Sequence, residues 1–156
     1  MYDLKGCTLE QMLIIGRSLG EQVKPGDIIT LSGDLGAGKT TTAQAIARGL
    51  GIEQPVSSPT FTIIKEYTTG RIPLYHFDLY RLSDSAIYED LGYDEYFFGS
   101  GVCVIEWAEY IDELLPGDRL HMDIFNGENQ TRNVAFSYSH PKWESVVKEI
   151  LRICHI

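Results

Sequence analysis

The stretch that most constrains the fold of this chain runs Gly33-Asp34-Leu35-Gly36-Ala37-Gly38-Lys39-Thr40. It fits the pattern G-x-x-x-x-G-K-[ST], which requires a strand before it and a helix after it. The β-branched apolar run at 27–32 indicates a buried strand, and residues 39–48 indicate a helix that ends at Gly49 and Gly51. Because the flanks agree with the motif, the sequence predicts an α/β fold in which this loop joins a strand to a helix.

The residue types of this loop suit phosphate groups. Its three glycines let the backbone take positive φ and bring N–H groups close to phosphate oxygens. The helix N-terminus adds partial positive charge at the same point. Lys39 supplies a mobile charge for the outer phosphates, and the hydroxyl of Thr40 is placed to bind Mg²⁺. We therefore predict that the loop holds nucleotide phosphates; the alternative is a glycine turn that happens to precede a lysine.

The rest of the chain predicts a mixed sheet. Residues 61–67 and 72–77 form one predicted antiparallel hairpin, and residues 120–125 and 131–138 form a second across the turn signal Asn126-Gly127. These hairpins add antiparallel pairs to a sheet that would otherwise be parallel. We predict an α/β, P-loop NTPase-like three-layer fold with a mixed, mostly central β-sheet flanked by helices.

Helices are predicted around these strands. The first begins at a capping box, and its apolar face holds Leu9, Met12, Leu13, Gly16, Leu19 and Val23. Shorter helices are predicted at 85–91, 93–98 and 108–115. A last helix follows Pro141, with an apolar face of Trp143, Val146, Val147, Ile150 and Cys154. With 156 residues, 44% of them hydrophobic, the chain is predicted to be one domain, 1–156.

Composition argues against several classes of protein. The net charge is −9, whereas a protein that binds nucleic acid by itself normally presents a basic face. The three cysteines and four histidines show no C-x-x-C or H-x-x-x-H spacing, so neither a zinc site nor a disulfide framework is expected. No apolar run approaches the roughly eighteen residues of a membrane span. We expect a cytoplasmic protein that does not span a membrane or hold RNA or DNA alone.

A carboxylate at the end of a second strand is expected beside the loop. Mg²⁺ bound to phosphates and Thr40 still takes a protein oxygen, and ligands collect where the strands of an open α/β sheet end. Glu106 follows the apolar run 102–105 and fits that role best, the alternative being an ordinary solvent-facing residue. Asp78 also ends a strand-like run. We predict that Asp78 contacts Mg²⁺ through water or orients the attacking water; a helix cap or a partner for Arg81 is the alternative.

Each of five other side chains has both a functional and a structural interpretation: Thr60, His76, Tyr80, Arg81 and Trp107. Thr60 either senses the terminal phosphate or belongs to a local turn. His76 fits a satisfied sheet histidine better than a base. Arg81 either reaches phosphate or a partner or holds a neighbouring acid. Tyr80 and Trp107 either form a mobile aromatic lid or pack structurally.

Four motifs, in their order and spacing, resemble those of the bacterial TsaE family. They are GDLGAGKTT (33–41), SPTF (58–61), HFDLYRL (76–82) and VIEWAEY (104–110). The first motif alone is shared by many nucleotide-binding proteins, whereas the other three are much more specific. The resemblance spans nearly the whole chain and is weakest after about Leu120.

The resemblance implies a function that composition could not show. A protein of this family binds ATP with Mg²⁺ and hydrolyses it weakly alone. It works beside a TsaB–TsaD heterodimer, in which TsaD transfers the threonylcarbamoyl group to adenosine 37 of tRNAs that read codons beginning with A. Hydrolysis then resets the complex between turnovers, and tRNA is contacted mainly through the complex.

The resemblance also assigns roles position by position. Lys39 and Thr40 would bind phosphate and Mg²⁺, Glu106 would be the second Mg²⁺ ligand, and Asp78 would be the other essential acid. The predicted catalytic residues are thus Lys39, Asp78 and Glu106, and the predicted metal ligands are Thr40 and Glu106. The predicted nucleotide contacts are Thr8, Gly33, Asp34, Leu35, Gly36, Ala37, Gly38, Lys39, Thr40, Thr41 and Arg132.

Two other functions remain open. One is a P-loop small-molecule kinase, which usually carries several arginines that clamp the transferred phosphate. The arginines here are few and not clustered: Arg17, Arg48, Arg71, Arg81, Arg119, Arg132 and Arg152. The other is a nucleotide-gated binding module without significant turnover. Phosphate release with and without the partners separates these possibilities.

Overall fold

The computed structural model describes residues 2–34, 36–57, 64–80 and 92–154. The strands are β1 (Tyr2–Cys7), β2 (Ile28–Ser32), β3 (Ile64–Tyr67), β4 (Leu74–Asp78), β5 (Val102–Glu106), β6 (Leu120–Asn126) and β7 (Arg132–Ser137). The α-helices are α1 (Leu9–Gln22), α2 (Lys39–Gly49), α3 (Tyr93–Phe97) and α4 (Lys142–Ile153). Short 3₁₀ helices cover Ala108–Leu114 and Glu128–Gln130. The predicted helix at 85–91 and the first part of the predicted strand at 61–67 lie outside the described residues.

The described strands form one mixed sheet of seven, in the order β1-β7-β6-β2-β5-β4-β3. At its centre, β2 pairs in parallel with both β5 and β6, and β4 pairs in parallel with β5. Antiparallel pairs add β7 and β1 on one side and β3 on the other. The parallel centre buries β2 and β5 on both faces, which explains why both are continuous apolar runs. The predicted mixed sheet is confirmed.

Helical segments on both faces make the fold three layers deep. α1, α2 and α4 share a core with one face, around Ile15 and Ile46. α3 and the 3₁₀ helix at 108–114 cover the other face over β4 and β5, around Phe77 and Ile105. Since strand side chains alternate, even-numbered residues of β4 and β5 face the side of α2 and odd-numbered ones face α3. No helix in the described ranges is long and apolar enough to cross a membrane.

The predicted apolar face of α1 is buried at Met12, Gly16, Leu19 and Val23 but not at its two remaining leucines. Leu9 and Leu13 are 64% and 43% exposed. The residues that α1 buries are Met12, Ile15, Gly16, Ser18, Leu19 and Gly20. The reason is a close crossing with α2, since a Cβ on Gly20 would lie 2.1 Å from a backbone oxygen of α2, and one on Gly16 would lie 2.4 Å from the Cβ of an α2 alanine. The small residues on α1 allow this crossing.

Three local features also differ from the sequence prediction. The pattern does not predict β1, which among the described strands pairs only with β7, almost the full chain length away. Residues 108–114 form a 3₁₀ helix broken at Ile111, where φ is −129°, rather than a regular helix. Asn126 ends β6 instead of forming a two-residue turn. The connection runs on through Asn129 and Gln130, both with positive φ, before pairing resumes at Arg132. The second hairpin itself is confirmed.

We predict that Gly20→Ala destabilises the protein, although alanine is the better helix former. Alanine by itself would favour the helix by about 1 kcal/mol, but its Cβ would overlap the backbone of α2. We therefore expect the free energy of unfolding to fall by about 2 kcal/mol, as measured by urea denaturation. Gly117→Ala is the control, because a Cβ at Gly117 meets no atom within 4 Å. Equal stability of the two variants would contradict the close crossing.

Candidate functional site

The glycine loop leaves the central strand β2 and enters α2. Gly33, Gly36 and Gly38 have φ of 146°, 83° and 108°, in the region that favours glycine. Gly33 also lies against β6, where a Cβ would be 2.4 Å from the carbonyl oxygen of Ile124. Among the described residues no side chain caps α2. The first N–H groups of this helix are therefore available to an anion. The strand–loop–helix arrangement is confirmed; Leu35 lies outside the described residues.

Lys39 folds back over the loop. Its Nζ donates hydrogen bonds to the carbonyl oxygens of Gly33 and Asp34, at 2.5 and 2.9 Å. The same atom lies 4.3 Å from the centroid of the Trp107 ring. Burial lowers the pKa of Lys39, and attraction from neighbouring carboxylates opposes that shift in part; these are Glu106, Glu109, Asp78 and Asp34. The loop therefore holds the ammonium group of Lys39 in a partly desolvated position.

Glu106 ends β5 directly opposite Asp78 at the end of β4. It is only 2% exposed, so it is not the solvent-facing residue of the alternative interpretation. Oγ1 of Thr40 donates to its Oε1 at 3.0 Å and lies 3.3 Å from its Oε2. Nε2 of His76 lies 2.6 Å from Oε2. The structure thus brings together the two predicted metal ligands, and adds a buried histidine that the sequence assigned only to the sheet.

Asp78, Tyr80 and Trp107 line the cleft across from the loop. Oδ1 of Asp78 accepts a hydrogen bond from the backbone N–H of Tyr80 at 3.1 Å. The rings of Tyr80 and Trp107 are 5.0 Å apart. Trp107 has a left-handed backbone with φ of 62°, an uncommon conformation for a bulky residue and one that clusters at functional sites. Both aromatic side chains therefore stand at the cleft, where a lid would be.

Two clefts flank the glycine loop. The first, of about 280 Å³, is lined by Gly36, Gly38, Lys39, Thr40, Thr41, Asp78, Tyr80, Glu106 and Trp107. It brings the three predicted catalytic residues to one place. The second, of about 300 Å³, is lined by Leu9, Met12, Ala37, Gly38, Thr41, Gln130 and Arg132. Nε of Arg132 donates to the carbonyl oxygen of Ala37 at 2.8 Å. Because Gly38 and Thr41 line both clefts, the clefts adjoin each other at the loop.

One predicted nucleotide contact, Thr8, is not among the residues that line these two clefts. Thr8 caps α1, since its Oγ1 accepts from the N–H of Gln11 at 3.2 Å and its own N–H donates to Oε1 of Gln11 at 2.9 Å. Its neighbour Leu9 lines the second cleft instead. The sequence prediction missed Leu9, Met12 and Gln130, and only Leu9 carried a signal, its position directly after a helix cap. Thr60 and Arg81 lie outside the described residues.

The mixed sheet and the glycine loop at the end of its central strand define an α/β protein with a P-loop NTPase-like fold. The family described as threonylcarbamoyl adenosine biosynthesis protein TsaE matches residues 7–134. The chain belongs to this TsaE family.

Individual relatives agree with this membership. The tRNA threonylcarbamoyladenosine biosynthesis protein TsaE of Bacillus subtilis is 48% identical over 154 residues, which cover 97% of this chain and 96% of that protein. The protein of the same name from Nostoc sp. is 50% identical over 104 residues, 64% of each chain. A crystal structure of Bacillus subtilis YdiB matches with a TM-score of 0.83 and 42% identity, covering 97% of this chain and 94% of that one.

We predict that Lys39→Met stabilises the ligand-free protein. Because burial lowers the pKa of Lys39, its charged form opposes folding, and methionine fills similar space without charge. We expect the free energy of unfolding at pH 7 to rise by about 1 kcal/mol in urea denaturation without nucleotide. In the wild-type protein, this lysine's contribution to stability improves as pH rises from its lowered pKa towards the ordinary value of 10.5, because the unfolded state binds more protons there.

Lys142→Met is the matched control, and it should lower the free energy of unfolding rather than raise it. Burial alone would lower the pKa of Lys142, but hydrogen bonds to and attraction from Asp27 and Asp118 outweigh burial and raise it. Its Nζ lies 2.7 Å from Oδ1 of Asp27 and 3.3 Å from Oδ2 of Asp118. The pair is partly exposed, so the loss should be about 1 kcal/mol at most. A Lys39→Met variant that loses stability in the same way would contradict the prediction.

Proposed function

We propose that this protein is a Mg²⁺-dependent ATPase subunit that acts beside a TsaB–TsaD heterodimer. In this proposal it serves the threonylcarbamoyladenosine modification at position 37 of tRNAs that read codons beginning with A. The observation that carries the proposal is the convergence of the glycine loop, Thr40 and Glu106 on one cleft, with 3.0 Å between the hydroxyl and the carboxylate. The pathway comes from the family to which the chain belongs.

The side chains at the cleft fit a nucleotide that carries Mg²⁺. This cation prefers oxygen ligands and usually takes one or two from the protein, together with phosphate oxygens and waters. Thr40 and Glu106 offer a hydroxyl and a carboxylate side by side, one from α2 and one from β5. Their oxygens adjoin the loop whose N–H groups face phosphate. The donor set is therefore the kind that Mg²⁺ with a nucleotide requires.

Each residue then has a defined task. Lys39 leaves the two loop carbonyls for the outer phosphates, where its charge balances the negative charge that develops during transfer. When bound, Mg²⁺ neutralises charge on the outer phosphates. Asp78, which lies opposite Glu106 across the β4–β5 pair, orients the attacking water by accepting its hydrogen.

The second cleft is proposed to receive the nucleoside. Gly38 and Thr41 border both clefts, so a nucleotide with its phosphates in the loop extends into the second one. Leu9 and Met12 present apolar surface to a base, and Arg132 presents polar atoms. Thr8 acts indirectly in this proposal, because it fixes the start of α1 and hence the position of Leu9.

Charge and cysteine chemistry support the proposed setting. A net charge of −9 disfavours direct binding of tRNA, so the partner proteins hold most of it. Cys7, Cys103 and Cys154 are free thiols, and burial raises the pKa of Cys103 to about 12. Free, unreactive thiols suit the reducing cytoplasm.

Phosphate release from ATP, with and without purified TsaB–TsaD, tests the proposed function. We expect weak release by the protein alone, a higher rate with the partners, and no release after Mg²⁺ is removed by EDTA. A small-molecule kinase would consume ATP only with its acceptor, and a binding module would bind ATP without release in either mixture. Partners that neither bind nor raise turnover would refute the proposal.

Single substitutions should separate the two acids. Glu106→Ala should lower Mg²⁺-dependent hydrolysis by at least ~10-fold and leave ATP binding in EDTA unchanged, because its role passes through the metal. Asp78→Ala should keep ATP affinity and lose hydrolysis by ~100-fold or more, as expected for a group that positions water. Glu66→Ala, at an exposed position on β3, is the control. Normal Mg²⁺-dependent turnover in Glu106→Ala would contradict the metal assignment, and full activity in Asp78→Ala would make Asp78 structural.

A further inference from the structure

His76 forms a buried pair with Glu106, and the mechanism above gives His76 no role. His76 is 0% exposed and Glu106 is 2% exposed. The imidazole Nε2 lies 2.6 Å from Oε2 of Glu106, whereas Oγ1 of Thr40 is nearer to Oε1, at 3.0 Å. The two carboxylate oxygens therefore have separate nearest donors, one on β4 and one on α2.

The hydrogen-bond geometry assigns the tautomer of His76. A carboxylate oxygen only accepts, so the nitrogen beside it must carry the hydrogen. Nδ1 is buried and has no hydrogen-bond partner in the described part of the chain. A hydrogen on Nδ1 would therefore be buried without an acceptor, which is unfavourable. The contacts therefore place a hydrogen on Nε2 of His76, which donates it to Glu106.

The position of His76 explains why it controls the carboxylate. The terminal torsion of a glutamate is broad, so the strand alone does not set the plane of its oxygens. His76 and Glu106 are near neighbours on one face of paired strands, with His76 opposite Val104 and Asp78 opposite Glu106. An apolar residue at 76 would be easier to bury than a ring with an unpaired nitrogen. The contact with Glu106 offsets that cost.

We propose that His76 is a positioning residue for Glu106. Its Nε2–H holds Oε2, so that Oε1 stays turned towards Thr40 and is presented to the Mg²⁺ of the proposed function, on which this inference rests. Partners that hydrogen-bond to metal ligands typically change metal affinity by ~10–100-fold. The effect of His76 passes entirely through Glu106.

Two variants of similar length separate hydrogen bonding from packing. His76→Gln keeps an N–H donor near the position of Nε2, whereas His76→Met fills similar space without one. His121→Met is the matched control, because Nε2 of His121 also contacts a carboxylate, Oδ1 of Asp123 at 3.0 Å, on β6, which lies on the other side of β2 from Glu106. Thermal unfolding establishes that each variant is folded.

The measurement is the binding of Mn²⁺, an oxygen-preferring substitute for Mg²⁺, in the presence of a non-hydrolysable ATP analogue. Electron paramagnetic resonance counts the free ion, so no turnover is required. We expect His76→Met to weaken Mn²⁺ binding by ~10-fold or more, and His76→Gln and His121→Met to stay within about 3-fold of the wild-type protein. Binding of the analogue in EDTA should be the same in all four proteins.

Several outcomes would overturn the inference. Wild-type Mn²⁺ affinity in His76→Met would do so, and equal weakening in His76→Gln and His76→Met would show that packing is responsible. If His76→Met does not fold, ¹⁵N NMR of the wild-type imidazoles decides, because a His76 ring without a hydrogen on Nε2 rules out the proposed hydrogen bond and a hydrogen on Nε2 supports it. Wild-type protein that binds no Mn²⁺ with the analogue would instead refute the proposed function.

Discussion

The pairing of β5 with β2 and β4 is the constraint on which the site depends. Leu31 lies opposite Glu106 in one pair and Asp78 lies opposite Glu106 in the other. The loop that follows β2 must therefore start beside the residues that end β5 and β4. Because all three strands run in parallel, their carboxyl ends share one edge, where ligands of open α/β sheets bind. Segments far apart in sequence become neighbours at the cleft without any long loop to carry them.

The close crossing of α1 and α2 helps to fix the position of α2 at this edge of the sheet. Gly16 and Gly20 on α1 meet a tightly packed stretch of α2, and a Cβ on Gly49 would lie 2.1 Å from the carbonyl oxygen of Arg17. Because the backbones of α1 and α2 are in direct contact, α2 has little freedom to slide or rotate. Its first turn carries Lys39 and Thr40, so their positions are set by packing well away from the cleft.

Local patterns predicted the features that depend on neighbouring residues. The glycine loop, the capping box at Thr8 and the two hairpins have signals within a few residues of each other, and the structure confirms them. The features that failed depend on distant partners. β1 exists through its pairing with β7, and the buried face of α1 is selected by α2.

The contact of His76 with Glu106 also depends on a distant partner, because Glu106 lies on another strand, thirty residues along the chain. The residues of the second cleft come from α1, the glycine loop, α2, the β6–β7 connection and the start of β7. The sequence could therefore name the loop, Asp78 and Glu106, but it could not describe what surrounds them.

The resting position of Lys39 has a consequence for how tightly any ligand can bind. Its ammonium already has two carbonyl oxygens and the face of Trp107. If the loop binds phosphate as proposed, the phosphate would have to draw the Lys39 ammonium away from these contacts. The affinity for that phosphate would then include the free energy needed to break the present contacts of Lys39. In that proposal the carbonyl oxygens of the loop compete with the phosphate for Lys39, and their geometry helps to set the affinity.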